Sequence, residues 1–397
     1  MGGMRETRLL FAAAHCLLDR TSGAALTLQS LLAGLVDRGL QVRSLEAACF
    51  DGPLGEQGLD LPLVDAAGTG RIVRRQRDGV RHDLVVFAQR QRLTLTPPEE
   101  VCFETAYLEM LERFRPHVLL GFGGYGLERS LFREARVRGI GTLFYLANPT
   151  YTSWRYFRDV DRVVSDTAAT ASLYRRSLGL IATPIGLFID PQRVVAAERR
   201  PQRITFVNPI QVKGASLVVG LARLCLERLP EARFLVVESR GRWAPWLQGL
   251  GLTPADLPNV DVWPYQSDMR AVYAQSQVVL MPSYWHESAG MVALEALMNG
   301  IPVLASDHGG LGETLRGGAE LLHIPPELRQ SSAIPPVAVL EPWLAALTRL
   351  LRQPQEYAAA AERARAVGTG YSNAAGVERF LGVVEALRGR PQATGRG

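Results

Sequence analysis

Lysine is almost absent from this chain: of its 44 basic residues, Lys213 is the only lysine and all the others are arginine. Such a bias follows genome composition, which exchanges Lys for Arg wherever either serves. A position that keeps lysine is a candidate for needing a compact ammonium rather than a planar guanidinium fork. Cysteine is scarce too. Cys16, Cys49, Cys102 and Cys225 have no C-x-x-C spacing and no paired histidine pattern, so neither a zinc site nor a disulfide framework is indicated, and a reducing cytoplasm fits. No run approaches the ~18 consecutive apolar residues that span a bilayer. The opening MGGMRETRLLFAAAH reads as a first buried strand rather than a leader, because its apolar stretch is short and Asp19 and Arg20 soon follow. The net charge of +5 is modest and spread along the chain, which argues against nucleic acid as a partner.

What is present is the composition of a folded α/β protein. The 397 residues are 47% apolar and 21% charged, enough for about two domains. Short apolar runs alternate with longer helix-period segments almost throughout, the pattern of strands and helices around parallel sheets. The first run reads as strand 8–14, helix 23–38 and strand 40–45. A hairpin is expected over 71–92, where Arg77-Asp78-Gly79 supplies the turn. Its arginines read as a solvated strand face, with an anionic acceptor or membrane headgroups as the alternative users. Helix 98–113, strand 117–120, a glycine-rich turn, helix 127–138 and strands 141–146 and 160–165 follow. The stretch 184–191 reads as a linker, and a second α/β series starts at Ile204, ending in helices from Glu341 onward. Two Rossmann-like domains facing each other across a cleft are the expected architecture: residues 1–188, joined by a C-terminal helix over about 372–390, and residues 189–371. Ligands then gather at strand C-terminal ends.

The segment from Ser283 to Glu313, SYWHESAGMVALEALMNGIPVLASDHGGLGE, carries the chemistry. A strand ends at Pro282, a loop carries Glu287, and Ser288-Ala289-Gly290 open a helix whose exposed N–H groups favour an anion or a hydroxyl-rich ligand. Glu295 lies in the middle of that apolar helix. Its neighbours three and four positions away (Met291, Val292, Met298, Asn299) supply no ion-pair partner, so its hydrogen-bond donors must come from elsewhere. The two glutamates stand eight residues apart, about 12 Å along a helix.

This stretch resembles the sugar-nucleotide site of glycosyltransferase family 4, with its E-x7-E pair and its G-M-V, L-E-A, G-I-P-V and G-G-x-x-E elements. VNPIQVKG (207–214) resembles that family's phosphate loop and PIGLFIDP (184–191) its interdomain linker. The likeness spans roughly residues 160 to 315 and, more loosely, the first 45. It implies the GT-B fold and a retaining, nucleotide-sugar-dependent transferase that needs neither metal nor cofactor. By that resemblance Glu287 holds sugar hydroxyls near the anomeric carbon. The amides of Ala289, Gly290, Met291 and Val292 hold the sugar and distal phosphate beside Ser288, also on the donor side, Glu295 holds the ribose, and Lys213, followed by Gly214, neutralises the diphosphate. Relatives often carry an arginine where this chain has Asn208; Arg240 or Arg242 is the expected substitute. They also often carry a histidine near 118–124, where this chain has Gly123 and Gly124. His15, Ser22 and Gly23 are the other acceptor-side candidates.

Three patterns point elsewhere. Residues 121–126 fit the dinucleotide fingerprint G-x-G-x-x-G, but outside the first βαβ unit and with Ala147-Asn148, not an acid, after the next strand. Asp159-Val160-Asp161 mimics a metal-binding D-x-D but opens a strand, where a solvated loop is expected. His286-Glu287 begins like a zinc motif, but Gly290 occupies the second ligand position. The competing functions are a sugar-nucleotide 2-epimerase, a phosphorylase, a non-catalytic sugar-nucleotide-binding module and a dinucleotide-dependent oxidoreductase. A cytoplasmic location, with peripheral membrane contact through 71–92, is expected.

Overall fold

The computed structural model describes residues 7–61, 70–91 and 95–388. The chain divides into two compact units, Met1–Phe188 with Ser372–Gly397, and Ile189–Tyr371.

The first unit runs β1 (Arg8–Ala13), α1 (Gly23–Asp37), β2 (Gln41–Ala47), β3 (Arg71–Arg77), β4 (Val80–Val86), α2 (Pro97–Phe114), β5 (Val118–Gly121) and α3 (Gly126–Val137). It continues through β6 (Gly141–Leu146), β7 (Arg162–Ser165), α4 (Ala168–Leu178) and β8 (Ala182–Pro184). The strands form one sheet in the order β3-β4-β2-β1-β5-β6-β7-β8. It is parallel except for the β3–β4 hairpin. That hairpin turns through Asp78 and Gly79, both with positive φ (50° and 75°), the backbone that a tight primed turn requires. Arg92, at the end of the expected hairpin, lies outside the described residues. Two of the hairpin arginines, Arg74 and Arg81, reach the buried Asp83 (3.4 and 3.1 Å).

The second unit runs α5 (Pro191–Val194), β9 (Arg203–Val207), α6 (Ala215–Arg228), β10 (Phe234–Val237), α7 (Trp243–Gly249), β11 (Val260–Trp263), α8 (Arg270–Gln275) and β12 (Ser276–Met281). Then come α9 (Met291–Met298), β13 (Val303–Ser306), α10 (Leu311–Leu315), β14 (Glu320–Leu322), α11 (Val337–Arg352) and α12 (Pro354–Thr369). Its sheet is fully parallel, in the order β11-β10-β9-β12-β13-β14. Counted within the unit this is 3-2-1-4-5-6, the doubly wound order whose switch point lies between strands 1 and 4, here β9 and β12. In the first unit the corresponding switch point lies between β1 and β5.

After α12 the chain returns to the first unit as α13 (Asn373–Arg388). Parallel strands with helices on both faces must bury alternate residues on opposite sides, and β1 does so. Leu9, Phe11 and Ala13 pack with α1 and α13 through Leu28, Leu32, Leu35, Phe380 and Val384. Leu10 and Ala12 pack with α2 and α3 through Phe103, Tyr107, Leu131 and Phe132. In the second unit Ile204, Phe206, Phe234 and Val278 pack under α6 and α11.

Some expectations need correction. The terminal helices begin at Val337, not Glu341; burial of Leu340, Trp343 and Leu347 against α6 outweighs Pro342 inside α11. Strand β7 begins at Arg162 because Asp161 is engaged beforehand: its Oδ2 accepts from the Thr142 N (3.0 Å) and Oγ1 (3.1 Å). That carboxylate therefore ties the N-terminal ends of β6 and β7 together, instead of standing in a solvated loop.

Candidate functional site

The β9–β12 switch point collects the residues that the sequence singled out. After β9, residues Gln211–Lys213 make one short 3-10 turn and Gly214 caps α6. Gly214 has φ 83°, and a Cβ there would stand 2.0 Å from the Pro282 carbonyl oxygen, so only glycine lets the β9 turn approach the end of β12. The approach is locked by Tyr284 and Trp285, whose N–H groups both donate to the Val212 carbonyl (2.9 and 3.0 Å). It delivers Lys213 to Glu287: Nζ lies 2.5 Å from Oε1. Ser283 donates to the same oxygen at 2.5 Å. Glu287 is 6% exposed, and so deep a carboxylate requires such donors.

The backbone of Glu287 is set by the next loop. Gly310 donates its N–H to the Glu287 carbonyl (2.7 Å). A Cβ on Gly309 would meet the Glu287 oxygen and nitrogen at 2.7 and 2.8 Å, which accounts for the paired glycines after β13. His308, beside them, is held below its ordinary pKa by burial first and by the Arg329 charge second. Ser288 and Ala289 are buried, Gly290 caps α9 in a left-handed conformation, and Met291 and Val292, partly exposed, open the helix. The first N–H groups of that helix have no intrahelical acceptor.

Glu295 lies two turns deeper, 6% exposed. Its donor is Tyr273 on α8, whose hydroxyl lies 2.5 Å from Oε2. Burial raises the Glu295 carboxyl to about 7, against the opposing effect of the Tyr273 bond. Tyr273 is in turn pushed far up, by burial first and by the carboxylate second. Sequence reasoning required a donor from elsewhere without finding Tyr273; the i±3 and i±4 spacing that it used cannot see across two helices. Ser283 was missed for the same reason, since a serine after a strand carries no distinguishing signal.

Asn208 has its own task. It adopts φ 63°, a left-handed backbone that Asn tolerates better than most side chains, and its Oδ1 accepts the Gly241 N–H at 2.9 Å. That bond ties the turn after β9 to the loop after β10, which carries Arg240. Arg242 is engaged by Glu238 (2.8 Å). Arg240, exposed, follows the C-terminal end of β10, the strand next to β9.

In the first unit, the β1–β5 switch point brings together His15, after β1, and Phe122, before Gly123 and Gly124; their rings meet edge to face at 5.7 Å. His15 is buried, with Asp19 and Asp51 each 3.9 Å from a ring nitrogen. Ser22, also buried, precedes the exposed Gly23 at the start of α1. His117 sits at the opposite end of the sheet, where its Nδ1 accepts the Arg8 N–H (3.0 Å). Among the described residues, no helix is long and apolar enough to cross a membrane.

Residues 193–366 match the family model for glycosyl transferases group 1. That match covers nearly all of the second unit, including every residue of the Lys213–Glu287–Glu295 arrangement. A 192-residue stretch is 31% identical to D-inositol 3-phosphate glycosyltransferase from Rhodococcus jostii, covering 45% of this chain and 37% of that protein. This chain therefore spans little more than a third of that relative's length. Over 340 residues it is 26% identical to GDP-mannose-dependent alpha-mannosyltransferase from Mycobacterium tuberculosis, covering 80% of this chain and 84% of the other. The pneumococcal O-GlcNAc transferase solved in complex with UDP and GlcNAc superposes with a TM-score of 0.69 at 12% identity, covering 97% of this chain and all of that one. The fold is GT-B, with two Rossmann-like α/β domains. The family model and the named relatives are all of glycosyltransferases.

Proposed function

We propose that this chain is a retaining glycosyltransferase of family 4, moving a sugar from a nucleoside-diphosphate sugar to an acceptor hydroxyl without metal or cofactor. The observation that carries the reading is the Lys213–Glu287 pair at the β9–β12 switch point, beside the open N–H groups of α9. The match to glycosyl transferases group 1 and the UDP-bound structural relative support the nucleotide-sugar donor.

In this reading the diphosphate draws Lys213 away from Glu287, and Arg240 adds a second positive charge. The freed Glu287 carboxylate, still oriented by Ser283, accepts from sugar hydroxyls, and Glu295 accepts from the ribose. The bond from the anomeric carbon to the diphosphate oxygen breaks, and the electron pair leaves with the nucleoside diphosphate. The acceptor oxygen bonds to the anomeric carbon on the same face, and its proton passes to the departing phosphate oxygen. Negative charge grows on that phosphate in the transition state, where a preorganised ammonium and helix N–H groups act most strongly. His15, Ser22, Gly23, Gly123 and Gly124 are proposed for the acceptor side. A cytoplasmic location, with the arginines of the β3–β4 hairpin against anionic headgroups, completes the proposal.

A screen of nucleotide sugars by thermal shift and by release of nucleoside diphosphate, with EDTA present, tests it. One donor class should stabilise the protein and be slowly hydrolysed. Donor binding with no turnover under any acceptor would instead favour a binding module, and loss of activity in EDTA would overturn metal independence.

A further inference from the structure

A recess of about 620 Å³ in the first unit is lined by Gly126, Arg129, Ser130, Arg133, Arg155, Arg158 and Asp159. Four guanidiniums thus share one concavity with a single lining carboxylate. Two other acids stand near: Glu104 holds the Ser130 hydroxyl, and Glu128 is buried, accepting the Tyr125 N–H at 3.0 Å.

The arginines are placed, not merely present. Arg129 and Arg133 occupy successive turns of α3, the i,i+4 spacing at which like charges repel. Among the described residues, neither their side chains nor that of Arg158 have a hydrogen-bond or ion-pair partner. Arg155 is fixed over the Tyr156 ring, 4.9 Å from its centroid, and donates to the Tyr156 hydroxyl at 2.9 Å. The Tyr156 ring fills the space where a Cβ on Gly124 would stand, 2.8 Å away. A chain of contacts thus runs from the glycine turn after β5, through Tyr156, to the arginines. Surface helices usually relieve such charge with an acid three or four positions away; no acid stands at that spacing from Arg129 or Arg133.

We infer that this recess binds a phosphomonoester, the anionic group of the ligand that the first unit recognises. A carboxylate occupies at most two guanidinium forks, whereas a phosphomonoester offers three oxygens and close to two charges to forks converging from several sides. The volume admits a phosphate together with the small polyol or sugar that bears it. Calling that ligand an acceptor rests on the transferase reading; the anion site itself does not.

The test is equilibrium dialysis of inorganic phosphate against the whole chain at fixed ionic strength. Wild-type protein should bind it saturably. Arg129→Gln with Arg133→Gln should weaken binding at least about tenfold, since each charged contact is worth about that much. Arg71→Gln with Arg74→Gln, on the hairpin, should leave it unchanged, and melting temperatures show that each variant is folded. Absence of saturable binding, or equal binding by the α3 double variant, overturns the inference. Glycerol 3-phosphate and vesicles containing phosphatidic acid are then used as competitors, with glycerol and phosphatidylcholine vesicles as blanks. Displacement by the first points to a soluble phosphomonoester and by the second to a lipid one; displacement by neither overturns the inference. Donor hydrolysis without acceptor should be untouched in the α3 variant. If phosphate binds as expected but no nucleotide sugar is hydrolysed, the transferase reading fails and the anion site stands.

Discussion

Tyr273 on α8 and Glu295 on α9 are joined by a 2.5 Å hydrogen bond in the interior of the second unit, and the carboxyl is raised to about 7 by burial. Its ordinary value is 4.5. Below 4.5 folded and unfolded chains both hold the proton, and Glu295 carries no penalty. As pH rises toward about 7 the unfolded chain ionises first, so stability falls, and the loss is complete above the folded value. It amounts to roughly 3 kcal/mol. Glu295→Gln stays neutral throughout. The unfolding free energy of wild type minus that of the variant, from urea titrations, should therefore decline between pH 4 and pH 8; a gap independent of pH would refute the assignment.

Lys213→Ala should lower turnover by at least about 100-fold, because the ammonium meets charge that grows only in the transition state. Lys213→Arg should recover little, since a guanidinium fork cannot replace a point charge in the narrow approach to Glu287. Glu295→Ala should act chiefly on nucleotide affinity. Release of nucleoside diphosphate under saturating donor separates the effects, and full activity of Lys213→Ala would remove the phosphate-turn assignment.

Arg240→Ala is expected to raise the donor KM about tenfold, the effect of losing one charged phosphate contact. Arg242→Ala should not, because Glu238 already engages that side chain. Asn208→Ala removes the bond to the Gly241 N–H and should reproduce part of the Arg240→Ala effect. Equal KM values for the two arginine variants would show that the loop is not used.

Gly214→Ala should cost on the order of 3 kcal/mol or more, combining a left-handed backbone with a Cβ 2.0 Å from the Pro282 oxygen. Gly249→Ala, where nothing lies within 4 Å, should be neutral or slightly stabilising. Thermal melts of the two variants provide the comparison.

Much of this was legible in the residues. The Asp78-Gly79 turn, the run of parallel strands and the meeting of Lys213 with the Glu287 loop rest on local rules: turn chemistry, periodicity and ligands at strand ends. What escaped notice depends on pairings distant in sequence. Tyr273 meets Glu295 across two helices, Ser283 meets Glu287 around a loop, and Asp161 bonds to Thr142 across neighbouring strands. The arginine recess also escaped, because Arg129 and Arg155 read separately are ordinary surface residues. The first turn of α11, before Glu341, escaped as well; that helix accommodates Pro342 because Trp343 and Leu347 are buried against the core.

The return of α13 to the first unit has a consequence for biosynthesis. The main core of the second unit draws on residues between Ile204 and Leu350, so it can consolidate while the chain is still on the ribosome. The first unit must wait, because Phe380, Leu381 and Val384 are needed to cover Leu28, Leu32 and Leu35 of α1. During that interval the α1 face is greasy and unprotected. The nascent chain is therefore most in need of a chaperone just before α13 emerges.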